Sequence, residues 1–252
     1  MKDVIKENLA GLQAEKGVKI LFACESGSRA WGFHSPDSDY DVRFVYRHPK
    51  QWYLSIEDRK DFIELPINAE LDISGFDIRK LLKLFWSSNP TIFEWIQSPV
   101  IYRQEDVFIN GLRALVKDYF SPKVGLHHYI GLTKNTFTNF LQGEEVKLKK
   151  YFYALRPILA ARWIVESGTC PPMQFSDLRP LVADTLINEK IDHLLQLKAA
   201  VGEGYLIKPD SDLHAFISKE LESCAAHASG LSRKAADPSA LNVLFQKTIG
   251  IE

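Results

Sequence analysis

The sequence predicts an α+β fold, a mixed sheet with helices over residues 1–120 followed by an all-helical domain over residues 121–252. Three observations predict it. Period-two alternation of side chains occurs at DYDVRFVY (39–46) and ELDIS (70–74), both in the first half. From about residue 105 onward no alternating stretch appears and the apolar spacing is helical. The chain, at 252 residues, exceeds the usual single-domain size, which favours two domains sharing an interface.

Each element has a local reason. Residues 3–16 place Val4, Ile5, Leu9 and Leu12 on one helical face. VKILFA (18–23) is a short apolar run that reads as a buried strand. GSRAWGF begins with Gly27 and opens a short helix, and SPDSD (35–39) is turn chemistry. The strand 39–46 follows, with Asp39, Asp41, Arg43 and Val45 on one face and Tyr40, Val42, Phe44 and Tyr46 on the other. Strand 70–74 sets Glu70, Asp72 and Ser74 on one face, and Asp77 is placed to cap the helix IRKLLKLFWSS. Thr91 to Glu94 fits a capping box for a short helix that ends before Pro99. Ser121-Pro122 starts a long helix, and VKLKKYFYALRPILAARWIVESG forms another, bent or broken at Pro157. ASGLSRKAADPSA (228–240) reads as a connector before a last helix.

Bulk properties narrow the function. Apolar residues make up 46% and charged residues 25%, ordinary for a globular protein with a sizeable core. A formal net charge of −1 excludes a grossly basic nucleic-acid coat but not a local basic groove. Cys24, Cys170 and Cys224 are far apart without CxxC spacing, which argues against a disulfide framework or zinc site and for a reducing, cytoplasmic setting. The amphipathic start lacks a signal-peptide core, and no apolar run could span a bilayer, so no membrane partner is expected.

The chemistry concentrates in ESGSRAWGFHSPDSDYDVRFVY (25–46). Asp39 and Asp41, two apart on a strand, point the same way with Cα atoms about 6.5 Å apart. Two such carboxylates can bridge divalent ions in two-metal phosphoryl transfer. A third carboxylate on a neighbouring strand would complete the cage, and Asp72 is preferred to Glu70 because it lies nearer the strand centre, within LDI. Gly27 lets a phosphate approach the backbone without a Cβ, and helix-start amides with the Ser28 hydroxyl would bond phosphate oxygens. Gly27 and Gly32 have GxxxxG spacing, but Phe33-His34 stand where a P-loop needs Lys-Ser/Thr, and GxGxxG, HExxH and GxSxG are absent. A solvated turn before an edge strand would explain a lone DxD. It does not explain a DxD set ten residues after a Gly-Ser pair that itself follows a buried strand.

These residues resemble the nucleotidyltransferase superfamily that includes DNA polymerase β, whose signature is Gly-Ser, a spacer and Asp-x-Asp. GSRAWGFHSPDSDYDVRFVY, DISGFDIRKLLKL, SNPTIFEWIQSPVIY and KKYFYALRPILAARW together resemble the RNA-repair-pathway polymerase-β-like family, over roughly residues 20–175. The resemblance implies a minimal nucleotidyltransferase core followed by a helical domain that closes the nucleotide cleft. It implies attack of a hydroxyl on the α-phosphorus of a nucleoside triphosphate, with AMP as the group moved, pyrophosphate released and an RNA end as acceptor. Neither the Gly-Ser nor the Asp-x-Asp element departs from the pattern.

On that reading Asp39 and Asp41 hold both metals, Mg²⁺ or Mn²⁺, Asp72 completes the catalytic one, and Gly27 and Ser28 position the triphosphate. Arg29 and Trp31 flank the phosphate turn, with Arg29 assigned to the nucleotide and Trp31 to the core. Lys149, Tyr153 and Arg156 share a helical face, and Lys149, Lys150 and Arg156 are candidates to reach the triphosphate, against the simpler reading of a solvated basic face. Lys134 is a poorer candidate of the same kind. Arg43 shares the face of the aspartates and neutralises them when metal is absent. Glu25 is left open between an acidic ligand and a surface residue. His127-His128 do not share a helical face and make no metal site. Three other readings stay open: adenylylation of a protein hydroxyl as in antitoxin-like enzymes, a nucleotide-binding regulator without turnover, and an RNA-binding adaptor.

Overall fold

The computed structural model describes residues 1–66, 70–232 and 236–251. The chain forms two compact units. The first contains Met1–Ala30, Asp39–Tyr119 and the residues from 236 onward; the second contains Trp31–Ser38 and residues 120–232.

The first unit is built on a five-stranded mixed sheet. In chain order it carries α1 (Lys2–Lys16), β1 (Lys19–Glu25), α2 (Gly27–Trp31, whose last residue belongs to the second unit), β2 (Tyr40–Arg47), α3 (Lys50–Tyr53), β3 (Phe62–Glu64) and β4 (Leu71–Asp77). Then follow α4 (Ile78–Trp86), α5 (Pro90–Trp95), β5 (Ile101–Gln104), α6 (Asp106–Ala114) and α7 (Val116–Tyr119). The sheet order is β3-β4-β2-β1-β5, with β2 and β4 parallel and every other neighbour antiparallel. Strand β1, between β2 and β5, is buried on both faces after its first residue, which is why it reads as a continuous apolar run. Ile5, Leu9 and Leu12 of α1 cover one face, against Ile20, Val42, Phe44, Tyr46 and Ile73. Alternation therefore turns Asp41, Arg43 and Asp72 to the opposite face.

Gly75 of β4 is paired with Phe44 of β2, and a Cβ there would lie 2.4 Å from the Phe44 ring. The ring lies over the spot where any larger residue would begin. Asp77 caps α4 as expected, accepting from the Arg79 amide at 2.8 Å. The short helix α5 departs from expectation: Asn89, not Thr91, is its cap, accepting from the Thr91 amide at 3.0 Å, and Pro90 occupies the first helical position.

The second unit holds α8 (Pro122–Phe140), β6 (Val146–Lys147), α9 (Leu148–Ser167), α10 (Phe175–Leu178), α11 (Thr185–Ala200), β7 (Leu206–Ile207) and α12 (Ser211–Ala228). Helices α8, α9 and α12 pack on one another. Ser121 caps α8 and Pro122 begins it. Helix α9 runs through Pro157 unbroken; the ring removes one ladder bond, but residues 154–161 are all buried and packing holds both sides of it. The helical half also carries the two-residue pair β6–β7, too short to give a periodic signal. A final helix, α13 (Ser239–Ile249), returns to the first unit beside α4 and α6. Of the expected connector 228–240, residues 233–235 lie outside the described residues.

Candidate active site

The parallel pairing of β2 with β4 sets Asp41 directly opposite Asp72. Strands in this relation lie about 4.8 Å apart, and both side chains leave the same face. Arg43 Nη2 donates to Asp41 Oδ1 at 3.1 Å and to Asp72 Oδ2 at 2.7 Å. Its Nη1 donates to the carbonyls of Val42 and Asp72 at 3.1 and 3.2 Å. One half-buried guanidinium is thus fixed between the two carboxylates, which compensates charges that would otherwise repel. Glu70 is exposed and lies outside this pairing; its carbonyl accepts from the Tyr40 amide at 2.8 Å.

The Gly-Ser turn abuts the same point. Gly27 has φ +60°, a left-handed conformation that favours glycine, and a Cβ on it would stand 2.0 Å from Asp41 Oδ2. The Asp41 carboxylate therefore rests against bare backbone at the head of α2. Ser28 is buried next to it in sequence. Arg29 Nε donates to the Asp39 carbonyl at 3.1 Å, and its guanidinium carbon lies 3.8 Å from the centre of the Tyr40 ring. Asp39 itself is exposed and precedes β2, which starts at Tyr40 rather than at residue 39.

Glu25, whose role the sequence left open, is neither a surface residue nor an exposed ligand. It is 1% exposed at the end of β1. Its Oε1 accepts from the Asp41 amide at 2.8 Å, and its Oε2 accepts from the Tyr102 hydroxyl of β5. Burial pushes the Glu25 carboxyl above the usual range, although these two hydrogen bonds oppose the shift. The only sequence signal was its place at the end of a buried strand.

In the second unit, the serine- and aspartate-rich turn is held by groups that lie far away in sequence. Lys198, 1% exposed, donates to Ser35 Oγ at 2.9 Å. The Asp37 carboxylate accepts from the Glu203 amide at 2.9 and 3.1 Å, and Ser38 Oγ donates to Glu203 Oε1 at 2.8 Å. Lys149 pairs with the other Glu203 oxygen at 2.7 Å. Burial would raise the Glu203 carboxyl, but the bonds from Lys149 and Ser38 outweigh it and hold the group below its ordinary value.

The remaining cations of α9 have separate surroundings. Lys150 Nζ lies 3.8 Å from the centre of the Phe140 ring, and burial lowers its pKa. Arg156 is 3% exposed, donates Nε to the Met173 carbonyl at 2.9 Å, and stands 4.7 Å from the Trp31 ring centre. Trp31 belongs to an aromatic cluster with Phe33 and Tyr153, and Phe33 stacks on Phe152.

Among the described residues, no three His, Cys, Asp or Glu side chains form a group able to hold a metal ion. The donor set nevertheless suits a hard divalent cation. Mg²⁺ keeps several waters and is commonly bound through one or two carboxylates together with substrate phosphates. Asp41 and Asp72, opposite one another and already holding a cation in Arg43, provide that pair. No helix among the described residues is long and apolar enough to cross a membrane.

The chain is similar to known proteins. The Bacillus subtilis (strain 168) protein YcgL, described only as uncharacterized, is 44% identical over 251 residues, covering 99% of this chain and 96% of that one. A nucleotidyltransferase-like protein from Exiguobacterium sibiricum aligns in structure over 96% of this chain and 80% of its own, with 10% identity and a TM-score of 0.33. The RNA repair pathway DNA polymerase beta family matches residues 1–247. The chain belongs to that family and is a nucleotidyltransferase.

Proposed function

We propose that the protein moves a nucleoside monophosphate, AMP, from a nucleoside triphosphate to a hydroxyl at an RNA end, releasing pyrophosphate, in a reaction that depends on Mg²⁺ or Mn²⁺. The observation that carries the reading is the meeting of the Gly27 backbone with the Asp41 carboxylate, and of Asp41 with Asp72. A phosphate-binding turn and a paired-carboxylate site would then share one point, as phosphoryl transfer requires.

In this reaction the acceptor oxygen bonds to the α-phosphorus, the bond from that phosphorus to the oxygen bridging it to the β-phosphate breaks, pyrophosphate leaves with the electron pair, and the proton of the acceptor hydroxyl passes to solvent. Asp41 and Asp72 would hold the cation, with Asp39 at the entrance to the strand. When bound, the cation neutralises phosphate charge and makes the hydroxyl more acidic. Gly27 leaves room for the Asp41 carboxylate at the head of the turn, and Gly27, Ser28 with its hydroxyl and Arg29 with its charge are assigned to the triphosphate. Lys149, Lys150 and Arg156 are assigned to the triphosphate; for Lys149 that role requires exchange of its Glu203 partner. The family description, an RNA repair pathway, supports RNA as acceptor.

The test is transfer from α-³²P-labelled ATP, GTP, CTP and UTP with Mg²⁺ or Mn²⁺, offered total RNA and cell lysate separately, with Asp39→Asn/Asp41→Asn as blank. Label on RNA that vanishes in the blank is expected. Label on a protein band instead would replace RNA by a protein acceptor, and ATP binding without label would leave a regulator.

A further inference from the structure

We propose that Glu25 is a positioning residue of the transfer site, its carboxylate completing the β-ladder at Asp41 where the backbone of β1 has turned away. The inference rests on the proposed transfer reaction for its kinetic consequences, but its geometry stands apart from that reading.

The N–H and C=O of one strand residue point to the same neighbour, and successive residues alternate between neighbours. Tyr40 bonds toward β4, its amide donating to the Glu70 carbonyl at 2.8 Å. Asp41 therefore bonds toward β1, and its carbonyl does accept from the Ser26 amide at 2.8 Å. Its amide faces the same way, but the paired part of β1 ends at Glu25, opposite Val42, and Gly27 bends the chain into α2. Glu25 Oε1 takes the Asp41 amide, at 2.8 Å.

The acceptor is itself fixed. Tyr102 of β5 donates to Oε2, the Glu25 amide donates to the Val100 carbonyl at 2.9 Å, and Ser98 Oγ donates to the Glu25 carbonyl at 2.6 Å. One buried side chain thus joins three things: the strand end that leads into the Gly-Ser turn, the β5 edge, and the backbone that carries Asp41. Without it the Asp41 amide would lose this acceptor, and the strand end whose carboxylate rests on Gly27 and bonds to Arg43 would lose one of its ties. Positional errors of about 1 Å at such a site cost on the order of 100-fold in rate.

The experiment compares Glu25→Ala, Glu25→Gln and Tyr102→Phe with wild type. Gln keeps an oxygen that can accept from the Asp41 amide and an NH₂ that can face the Tyr102 oxygen. Expected are a loss of about 10- to 100-fold in kcat for Glu25→Ala with little change in the KM for nucleotide, recovery of most of that loss in Glu25→Gln, and a smaller loss in Tyr102→Phe. The Asp41 ¹H–¹⁵N amide resonance should shift upfield in Glu25→Ala and stay near its wild-type position in Glu25→Gln.

An unshifted Asp41 resonance in Glu25→Ala, or wild-type kcat in that variant, would overturn the proposal. So would Glu25→Gln as impaired as Glu25→Ala, since the charge rather than the acceptor would then be at work. If Glu25→Ala does not fold, Tyr102→Phe and Glu25→Gln decide by the same readouts. If the wild-type protein transfers no nucleotide, the transfer reading fails while the amide resonance still decides the role of Glu25.

Discussion

Asp41 and Asp72 stand opposite one another in the parallel pairing of β2 with β4, and a single guanidinium, that of Arg43, bonds to both carboxylates. The pair is separated by some thirty residues of chain and becomes one site only through the register of two strands.

Replacing either carboxylate should therefore be equivalent in effect. Asp41→Asn and Asp72→Asn are each expected to retain the wild-type circular dichroism spectrum and to lose transfer by on the order of 10²–10³-fold. Measured turnover within a few-fold of wild type in either variant would remove that residue from the site.

Arg43→Gln takes away the cation that compensates the two carboxylates. Its metal-free form should be less stable by about 1 kcal/mol, or roughly 2–4 °C in Tm. Added Mg²⁺ should then raise its Tm by more than it raises that of the wild type. An equal Mg²⁺ response in both proteins would show that Arg43 and the cation do not compete.

Gly27→Ala meets two obstacles together. The left-handed backbone costs about 1–2 kcal/mol for a residue with a Cβ, and the new atom would fall 2.0 Å from Asp41 Oδ2. Urea unfolding should report at least that loss, and transfer should fall with Asp41→Asn. A variant that turns over normally would place the phosphate turn elsewhere.

Asp77 should impose a pH dependence on stability. It is buried, and burial lifts its carboxyl above the ordinary value despite hydrogen bonds from Tyr53 at 2.6 Å and the Arg79 amide. The folded state therefore binds this proton more tightly than the unfolded chain. Its share of stability is present at low pH and is lost as pH rises from about 4 through the folded value. Asp77→Asn keeps the helix cap and removes the titration, so its unfolding free energy should fall less steeply over that range. Parallel curves for the two proteins would refute the assignment.

Glu203 has the opposite sign. Its lowered carboxyl contributes stability at neutral pH that is lost as pH falls through the folded value. Glu203→Ala should destabilise by about 1–3 kcal/mol at pH 7, and less in acid, as read by urea unfolding at both pH values. A loss independent of pH would leave only its packing.

Several features were legible because they are local. The alternation that marks β2 and β4 and the caps at Asp77 and Ser121 depend on neighbours within a few residues, and the spacing from Gly27-Ser28 to Asp41 lies within one continuous stretch, so the chain displays them directly. The cap of α5 was misplaced by two residues because Thr91 and Glu94 fit a capping box while Asn89, before Pro90, took the role. The β6–β7 pair and the short β3 are too brief for any period to show.

By itself, then, the sequence determined the helix, strand, turn and strand that lead to Asp41, the alternation that sets Asp41 and Asp72 on the polar faces of their strands, and the family motif. Only the tertiary structure decided that Asp72 rather than Glu70 faces Asp41, that Glu25 takes the Asp41 amide, and that Lys198 and Glu203 hold the turn at residues 35–38. The physical reason is the same in each case. Strand register and buried polar pairs are settled by which distant groups must be satisfied when the backbone closes, and a linear pattern does not contain that choice.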